Sequence, residues 1–194
     1  MTALHSRHSP GLTVALLGPD GAGKSTLAAS LVAALSSERD VRSIYAGPYP
    51  KASASARSIA GSATAAVIAR LMWARVRAQW HRSRGRVVVF DRHPYDALVA
   101  PPSRRRRARM RRSLIGRTGA PPDLLLILDA PAESLYQRKG EHDVSHLDQQ
   151  RHRYLELAQR NPRSVVIDTA VGADGVLSQA LAQIARASSA RATP

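Results

Sequence analysis

Five short apolar runs recur along the chain, at residues 12–17, 41–45, 86–90, 123–128 and 164–168. The first, third and fourth are apolar almost without interruption: Leu12-Thr13-Val14-Ala15-Leu16-Leu17, Val87-Val88-Val89-Phe90 and Leu124-Leu125-Leu126-Ile127-Leu128. A strand apolar at nearly every position is covered on both faces, as in a parallel sheet enclosed by helix layers. Helix-length segments lie between the runs, near 24–36, 54–83, 103–114, 131–138, 146–160 and 173–187. The alternation predicts an α/β fold with a five-stranded parallel sheet, helices on both faces, and functional groups at the C-terminal ends of the strands. Pro101-Pro102 and Pro121-Pro122 end elements, because proline lacks an N–H and pushes the preceding residue toward extended backbone. Leu71, Trp73, Val76 and Trp80 are expected to pack the long second helix onto the sheet, with lining of an acceptor site as the alternative. One domain over 11–187, with tails at 1–10 and 188–194, suits a chain of 194 residues.

The first run leads directly into Gly18-Pro19-Asp20-Gly21-Ala22-Gly23-Lys24-Ser25-Thr26, which satisfies the phosphate-loop pattern G-x-x-x-x-G-K-[ST] between a strand and a helix. Gly18, Gly21 and Gly23 let the backbone approach an anion closely and turn its N–H groups inward. Lys24 is placed to reach β- and γ-phosphate oxygens and Ser25 to put its hydroxyl on Mg²⁺, while the helix that opens there aims its positive end at the same point. Asp20, Ala22 and Thr26 complete the expected nucleotide-binding loop.

A second constellation ends the third run, at Asp91-Arg92-His93-Pro94-Tyr95-Asp96. Asp91 is a candidate to hold Mg²⁺ or its waters, or to orient a nucleophile, and Arg92 offers planar paired donors to a phosphate.

Together these residues resemble the thymidylate kinase branch of the nucleoside monophosphate kinases. The loop with Asp20, the Asp91-Arg92-His93 triplet, the strand and turn Pro122-Asp123-Leu124-Leu125-Leu126-Ile127-Leu128-Asp129-Ala130-Pro131, and Arg138-Lys139-Gly140-Glu141 at the start of a lid are similar to that family's motifs. The resemblance implies a three-layer P-loop kinase fold with a short lid near 138–147, ATP and Mg²⁺ as cofactors, and Ser25 and Asp91 on the metal. It also implies Arg92 on the acceptor, Arg138 and Lys139 as closing cations, and a structural turn role for Asp129. The activity implied is transfer of the γ-phosphoryl group of ATP to a small anionic acceptor, most simply a nucleoside monophosphate such as dTMP. Asp96 and Ala100 stand where the family carries a serine and an aromatic residue. Tyr45-Ala46-Gly47-Pro48-Tyr49-Pro50 replaces its Arg-Glu-Pro-Gly-Gly type of loop. Thymidine-specific contacts are therefore not expected, and a small-molecule or sugar(-phosphate) kinase is the alternative.

Charge adds a further reading. With 29 basic and 14 acidic residues the formal net charge is +15, a field that concentrates anionic ligands. Seven arginines fall in the nine positions from Arg104 to Arg112, more than one helix face can hold, so most are expected in solvent. That run leaves a basic nucleic-acid-associated ATPase or non-catalytic nucleotide-binding module as the third reading, although no stacking aromatic residue lies in it and nucleic acid is not the expected partner. No Asn-Lys-x-Asp guanine motif is present, and His142 and His146 lack the His-Glu-x-x-His pattern of a zinc site. Cysteine is absent, and neither a secretory leader nor an apolar stretch of membrane-spanning length is evident, so a cytoplasmic enzyme is expected, with a homodimer allowed.

Overall fold

The computed structural model describes residues 10–48, 62–101, 103–140 and 142–192. Five strands, β1 (Leu12–Leu17), β2 (Val41–Tyr45), β3 (Val87–Asp91), β4 (Leu124–Asp129) and β5 (Ser164–Asp168), form one sheet in the order β2-β3-β1-β4-β5, every pair parallel. The helices are α1 (Lys24–Leu35), α2 (Ser62–Ser83), α3 (Asp96–Val99), α4 (Arg106–Thr118), α5 (Ala132–Lys139), α6 (Val144–Arg160) and α7 (Gly172–Ala192), with a 3-10 turn at Thr169–Val171.

Side chains alternate across a strand, so a continuous apolar run feeds two cores at once. Leu12, Val14 and Leu16 of β1, Val87 and Val89 of β3, and Leu124, Leu126 and Leu128 of β4 pack with α1, α5 and α7. Ala15 and Leu17, Val88 and Phe90, and Leu125 and Ile127 point the other way and pack with α2, α3, α4 and Tyr154 of α6. Each fully buried aliphatic side chain contributes about 1.5–3 kcal/mol by leaving water, and nearly all of the three inner strands is spent this way.

Several boundaries differ from expectation for local reasons. The 54–83 helix is seen from Ser62, its first eight residues lying outside the described set. Ala100 is extended before Pro101 (φ −55°, ψ 147°), which isolates α3 as a single turn and delays α4 to Arg106. Asp143 caps α6 by accepting from the His146 N–H at 2.6 Å, so that helix starts at Val144. The C-terminal helix continues to Ala192, past the boundary expected at 187, and Arg191 on it reaches Asp123.

The packing expected of α2 needs correction. Leu71 is buried, but Trp73 is 69% exposed and Val76 and Trp80 are also exposed. Ala74 and Ala78 are the residues that face the sheet with Leu71 and the buried His81. Small side chains let the helix axis lie close to the strands, which turns the tryptophans outward. The guanidinium of Arg84 then sits 3.7 Å from the centre of the Trp80 ring. Of the basic run, Arg104, Arg105, Arg106, Arg107, Arg109 and Arg111 are exposed, as expected. No helix among the described residues is long and apolar enough to cross a membrane.

The pole of the sheet remote from the strands' C-terminal ends is tied by Asp123. Its Oδ2 accepts from the Thr13 N–H and hydroxyl, both at 2.9 Å, and its two oxygens accept from the Arg82 guanidinium at 3.0 and 3.2 Å. Arg191 pairs with it as well. Replacing Asp123 with Ala should lower the unfolding free energy by about 2–3 kcal/mol, since it strands the Thr13 amide and separates two helix ends from β4. Urea denaturation measures this, and a midpoint unchanged from the parent protein would show that the cluster holds nothing.

Candidate active site

Strand order reverses around β1, with β3 on one side of it and β4 on the other, so a crevice opens at the strands' C-terminal ends. The phosphate loop follows β1 into that crevice. Gly18 has φ +144°, and a Cβ there would stand 2.4 Å from the Leu128 carbonyl oxygen, so the loop's passage beside β4 admits only glycine. Gly23 has φ +86° and begins the turn into α1.

Lys24, the first residue of α1, is buried rather than solvent-facing. Its ammonium donates to the Gly18 and Pro19 carbonyls at 2.7 and 2.6 Å, so the side chain folds back across its own loop. A cation taken from water requires such acceptors. The next residue reaches the neighbouring strand: Ser25 Oγ donates to the Asp91 carboxylate, 3.2 Å from each oxygen. Parallel pairing of β1 with β3 sets Leu16 opposite Asp91, and thereby brings together two residues 66 positions apart. A hydroxyl and a buried carboxylate side by side are oxygen ligands of the kind Mg²⁺ takes.

Arg92 leaves β3 with φ +75°, and no other non-glycine among the described residues has positive φ. Strain of this sort is retained where surrounding contacts over-determine a position. Its guanidinium donates to Asp20 at 3.0 Å. Burial works against the charge, but Asp96 and Asp20 outweigh that effect and raise the Arg92 pKa above its ordinary value. Asp20 also meets α6 and the segment leading into it, for its N–H donates to Gln150 Oε1 at 3.2 Å and His142 Nε2 lies 3.9 Å from Oδ2. His142 and His146 stack with ring centres 4.7 Å apart.

Arg138, expected as a closing cation, has its guanidinium at the turn after β5. It lies on the wall of a cleft of about 390 Å³ that runs past Gly21, Ala22, Gly23 and Thr26 to Thr169. There its guanidinium donates to the Thr169 hydroxyl at 3.1 Å and carbonyl at 3.2 Å. The turn after β5 offers these two acceptors, and Arg138 flanks the phosphate loop. Lys139 ends α5, with its side chain outside the described residues, as are Glu141, Tyr49 and Pro50. Asp129 accepts two hydrogen bonds from Arg151, at 2.7 and 3.0 Å, which fastens α6 to the end of β4 in keeping with a structural role.

Two participants escaped sequence reasoning. Tyr154 of α6 donates its hydroxyl to Asp96 Oδ1 at 2.7 Å, deep in the protein. Arg70 donates to the Gly47 carbonyl and lies 5.8 Å from the centre of the Tyr45 ring, so α2 supplies a cation beside the loop after β2. Its signal in the sequence was an arginine interrupting the apolar stretch 59–72.

His93 carries the opposite lesson, since its place in the motif suggests chemistry and its surroundings are those of a strut. Nδ1 accepts from the Tyr95 N–H at 3.3 Å and Nε2 therefore donates to the Ala120 carbonyl at 3.2 Å, the pattern of a neutral ring. Burial lowers its pKa from 6.5 to about 4. The unfolded chain takes up this proton below about pH 6.5 and the folded chain does not until about pH 4, so the contribution is whole above 6.5 and is lost as pH falls through that window. The loss is on the order of 3 kcal/mol. Thermal melts of the parent and His93→Gln between pH 8 and pH 4.5 should converge as pH falls, and parallel curves would contradict the assignment.

No family model matches the chain, and no curated protein matches it in sequence. In three dimensions it is similar to the thymidylate kinase from Candida albicans, an enzyme of broad substrate specificity with a novel structural element. The TM-score is 0.61 over 91% of this chain and 92% of that one, at 18% sequence identity. A likeness at this identity speaks for the fold: the chain has the five-stranded parallel α/β architecture of the thymidylate kinases.

Proposed function

We propose that the protein is an ATP- and Mg²⁺-dependent phosphotransferase of the thymidylate kinase-like type, acting on a small phosphate-bearing acceptor, most simply a nucleoside monophosphate. One observation carries this reading: Lys24, the Ser25–Asp91 pair and Arg92 meet at the ends of β1 and β3, with a cleft of nucleotide-accommodating size along the other side of the loop. When bound, ATP supplies the transferable phosphoryl group and Mg²⁺ neutralises charge on it.

The protein's own part is positioning and charge. The glycine loop and Lys24 hold phosphate oxygens, Ser25 and Asp91 supply oxygen ligands to the metal, and Arg92 orients the acceptor phosphate. Arg138 and Lys139 stand on the lid side, and Arg151 anchors that side to β4 through Asp129. The cleft between Gly21 and Thr169 takes the remainder of the nucleotide.

Lys24→Ala tests the reading most directly. Loss of a preorganised cation of this kind costs about 3 kcal/mol or more in the transition state, a fall of at least about a hundredfold in kcat. Because the ammonium also makes two buried hydrogen bonds, about 1–2 kcal/mol of stability goes with it. Coupled assays at matched folded fraction separate the two effects, and activity within threefold of the parent would refute the proposed role.

Asp91→Asn and Arg92→Lys should fail in different ways. The first raises the Mg²⁺ concentration needed for half-maximal turnover. The second chiefly raises the acceptor KM, by about tenfold or more, since an ammonium cannot reproduce the two-donor fork. Steady-state kinetics with Mg²⁺ and acceptor varied in turn check both, and unchanged kinetics with only a lower melting temperature would reduce the pair to a structural contact.

A further inference from the structure

The outer surface of α2 and α4 lies away from the phosphate loop and has an apolar character of its own. Both helices cover the same side of the sheet and pack against each other. On α2 the residues turned to the sheet are Leu71, Ala74 and Ala78. With about 3.6 residues per turn, Trp73, Val76 and Trp80 fall on the opposite side of that helix, and all three are exposed, with Met72 beside them. On α4 Ile115 points inward, while Met110 and Leu114, one turn apart, are each more than half exposed. Large apolar side chains grouped in this way, unlike ones scattered singly, mark a surface that meets a partner.

Arginines frame both ridges. Arg77 and Arg84 flank the α2 stripe, and the Arg84 guanidinium lies over the Trp80 ring, 3.7 Å from its centre. Arg106, Arg107, Arg111 and Arg117 are exposed on α4 around Met110 and Leu114. Neither helix carries an acidic residue. From Val41 to Pro122 the only carboxylates in the sequence are Asp91 and Asp96, both buried. The complement of this face is therefore a sheet of anions with an apolar layer beneath it.

We propose that the outer face of α2 and α4 docks the protein on a lipid bilayer with anionic headgroups, seating Trp73, Val76, Trp80, Met110 and Leu114 at the boundary between headgroups and acyl chains. Tryptophan suits that boundary because its ring is apolar and its one N–H stays wet. Arginine lays its stem along apolar surface and keeps its guanidinium on lipid phosphates. A nucleic acid would use the arginines and leave Val76, Met110 and Leu114 idle, since aliphatic side chains offer bases no stacking face. A second copy of the chain on this face would set arginine against arginine with no carboxylate opposite. The proposal stands independently of the phosphotransferase reading.

Trp73 and Trp80 are the two tryptophans of the chain, so intrinsic fluorescence reads this face alone. The test titrates the full chain, at physiological salt, with vesicles of phosphatidylcholine alone and of phosphatidylcholine and phosphatidylglycerol in equal parts, and measures binding by co-sedimentation. Binding should require the anionic lipid, shift the tryptophan emission to the blue, and allow quenching by lipid brominated on its acyl chains. Each arginine near the surface is worth about fivefold in affinity, so Arg106→Gln, Arg107→Gln, Arg111→Gln and Arg117→Gln together should weaken binding by about a hundredfold or more. Met110→Ser with Leu114→Ser should weaken it by about tenfold or more. Arg186→Gln, exposed on α7 across the sheet, should leave it within about twofold of the parent. No binding to the anionic vesicles, equal binding to both kinds, or binding without a change in emission overturns the proposal, whether or not the variants fold. Folded variants of the α4 face that bind like the parent overturn it too. So does tighter binding to a DNA duplex than to the vesicles, or a lipid-free dimer, seen by sedimentation velocity, in which both tryptophans already emit as buried rings.

Discussion

Parallel pairing of β1 with β3 is the constraint on which the site depends. Registering Leu12 with Val87 carries Leu16 to Asp91, so the phosphate loop and the Asp91-Arg92 pair emerge side by side. A slip of one residue would turn every side chain of the strand to the other face and exchange the two cores. Because β1 and β3 are apolar on both faces, that register is held by packing with α1, α5 and α7 on one side and α2, α3 and α4 on the other.

Charges at the strand ends are then arranged by mutual satisfaction. Lys24 pairs with two carbonyls of its own loop, Asp91 with Ser25, Arg92 with Asp20, and Asp96 with Tyr154. Burial pushes the Asp96 pKa up, and Lys24, the Tyr154 hydrogen bond and Arg92 oppose it. In a medium of low polarity each of these groups depends on its neighbours more than it would in water, so the cluster behaves as one electrostatic unit. Asp20 extends that unit to Gln150 and His142, and this links the phosphate loop to α6 and the segment leading into it.

The two poles of the sheet divide the work. At the N-terminal end Asp123 pairs with Thr13, Arg82 and Arg191. At the C-terminal end the backbone is strained at Arg92, and among the described residues Asp96 Oδ2 has no hydrogen-bond partner. Closed networks stabilise a fold, and strained positions persist only where the surrounding structure over-determines them.

The sequence by itself determined the architecture and the place of the glycine loop between β1 and α1. Continuous apolar strands admit few arrangements other than a doubly covered parallel sheet, and Gly18 to Thr26 is a contiguous motif whose function depends on local backbone geometry. Asp91 and Arg92 were legible for a related reason, as charges at the end of an apolar strand. What joins distant segments was decided only in three dimensions. Tyr154 lies 58 positions from Asp96, and nothing local marks it as that residue's partner. Nothing local joins Arg138 to Thr169, 31 positions away, and Trp73 and Trp80 read as core until Ala74 and Ala78 take the face toward the sheet. Local chemistry is set by neighbours in the chain, whereas burial and hydrogen-bond completion are set by neighbours in space.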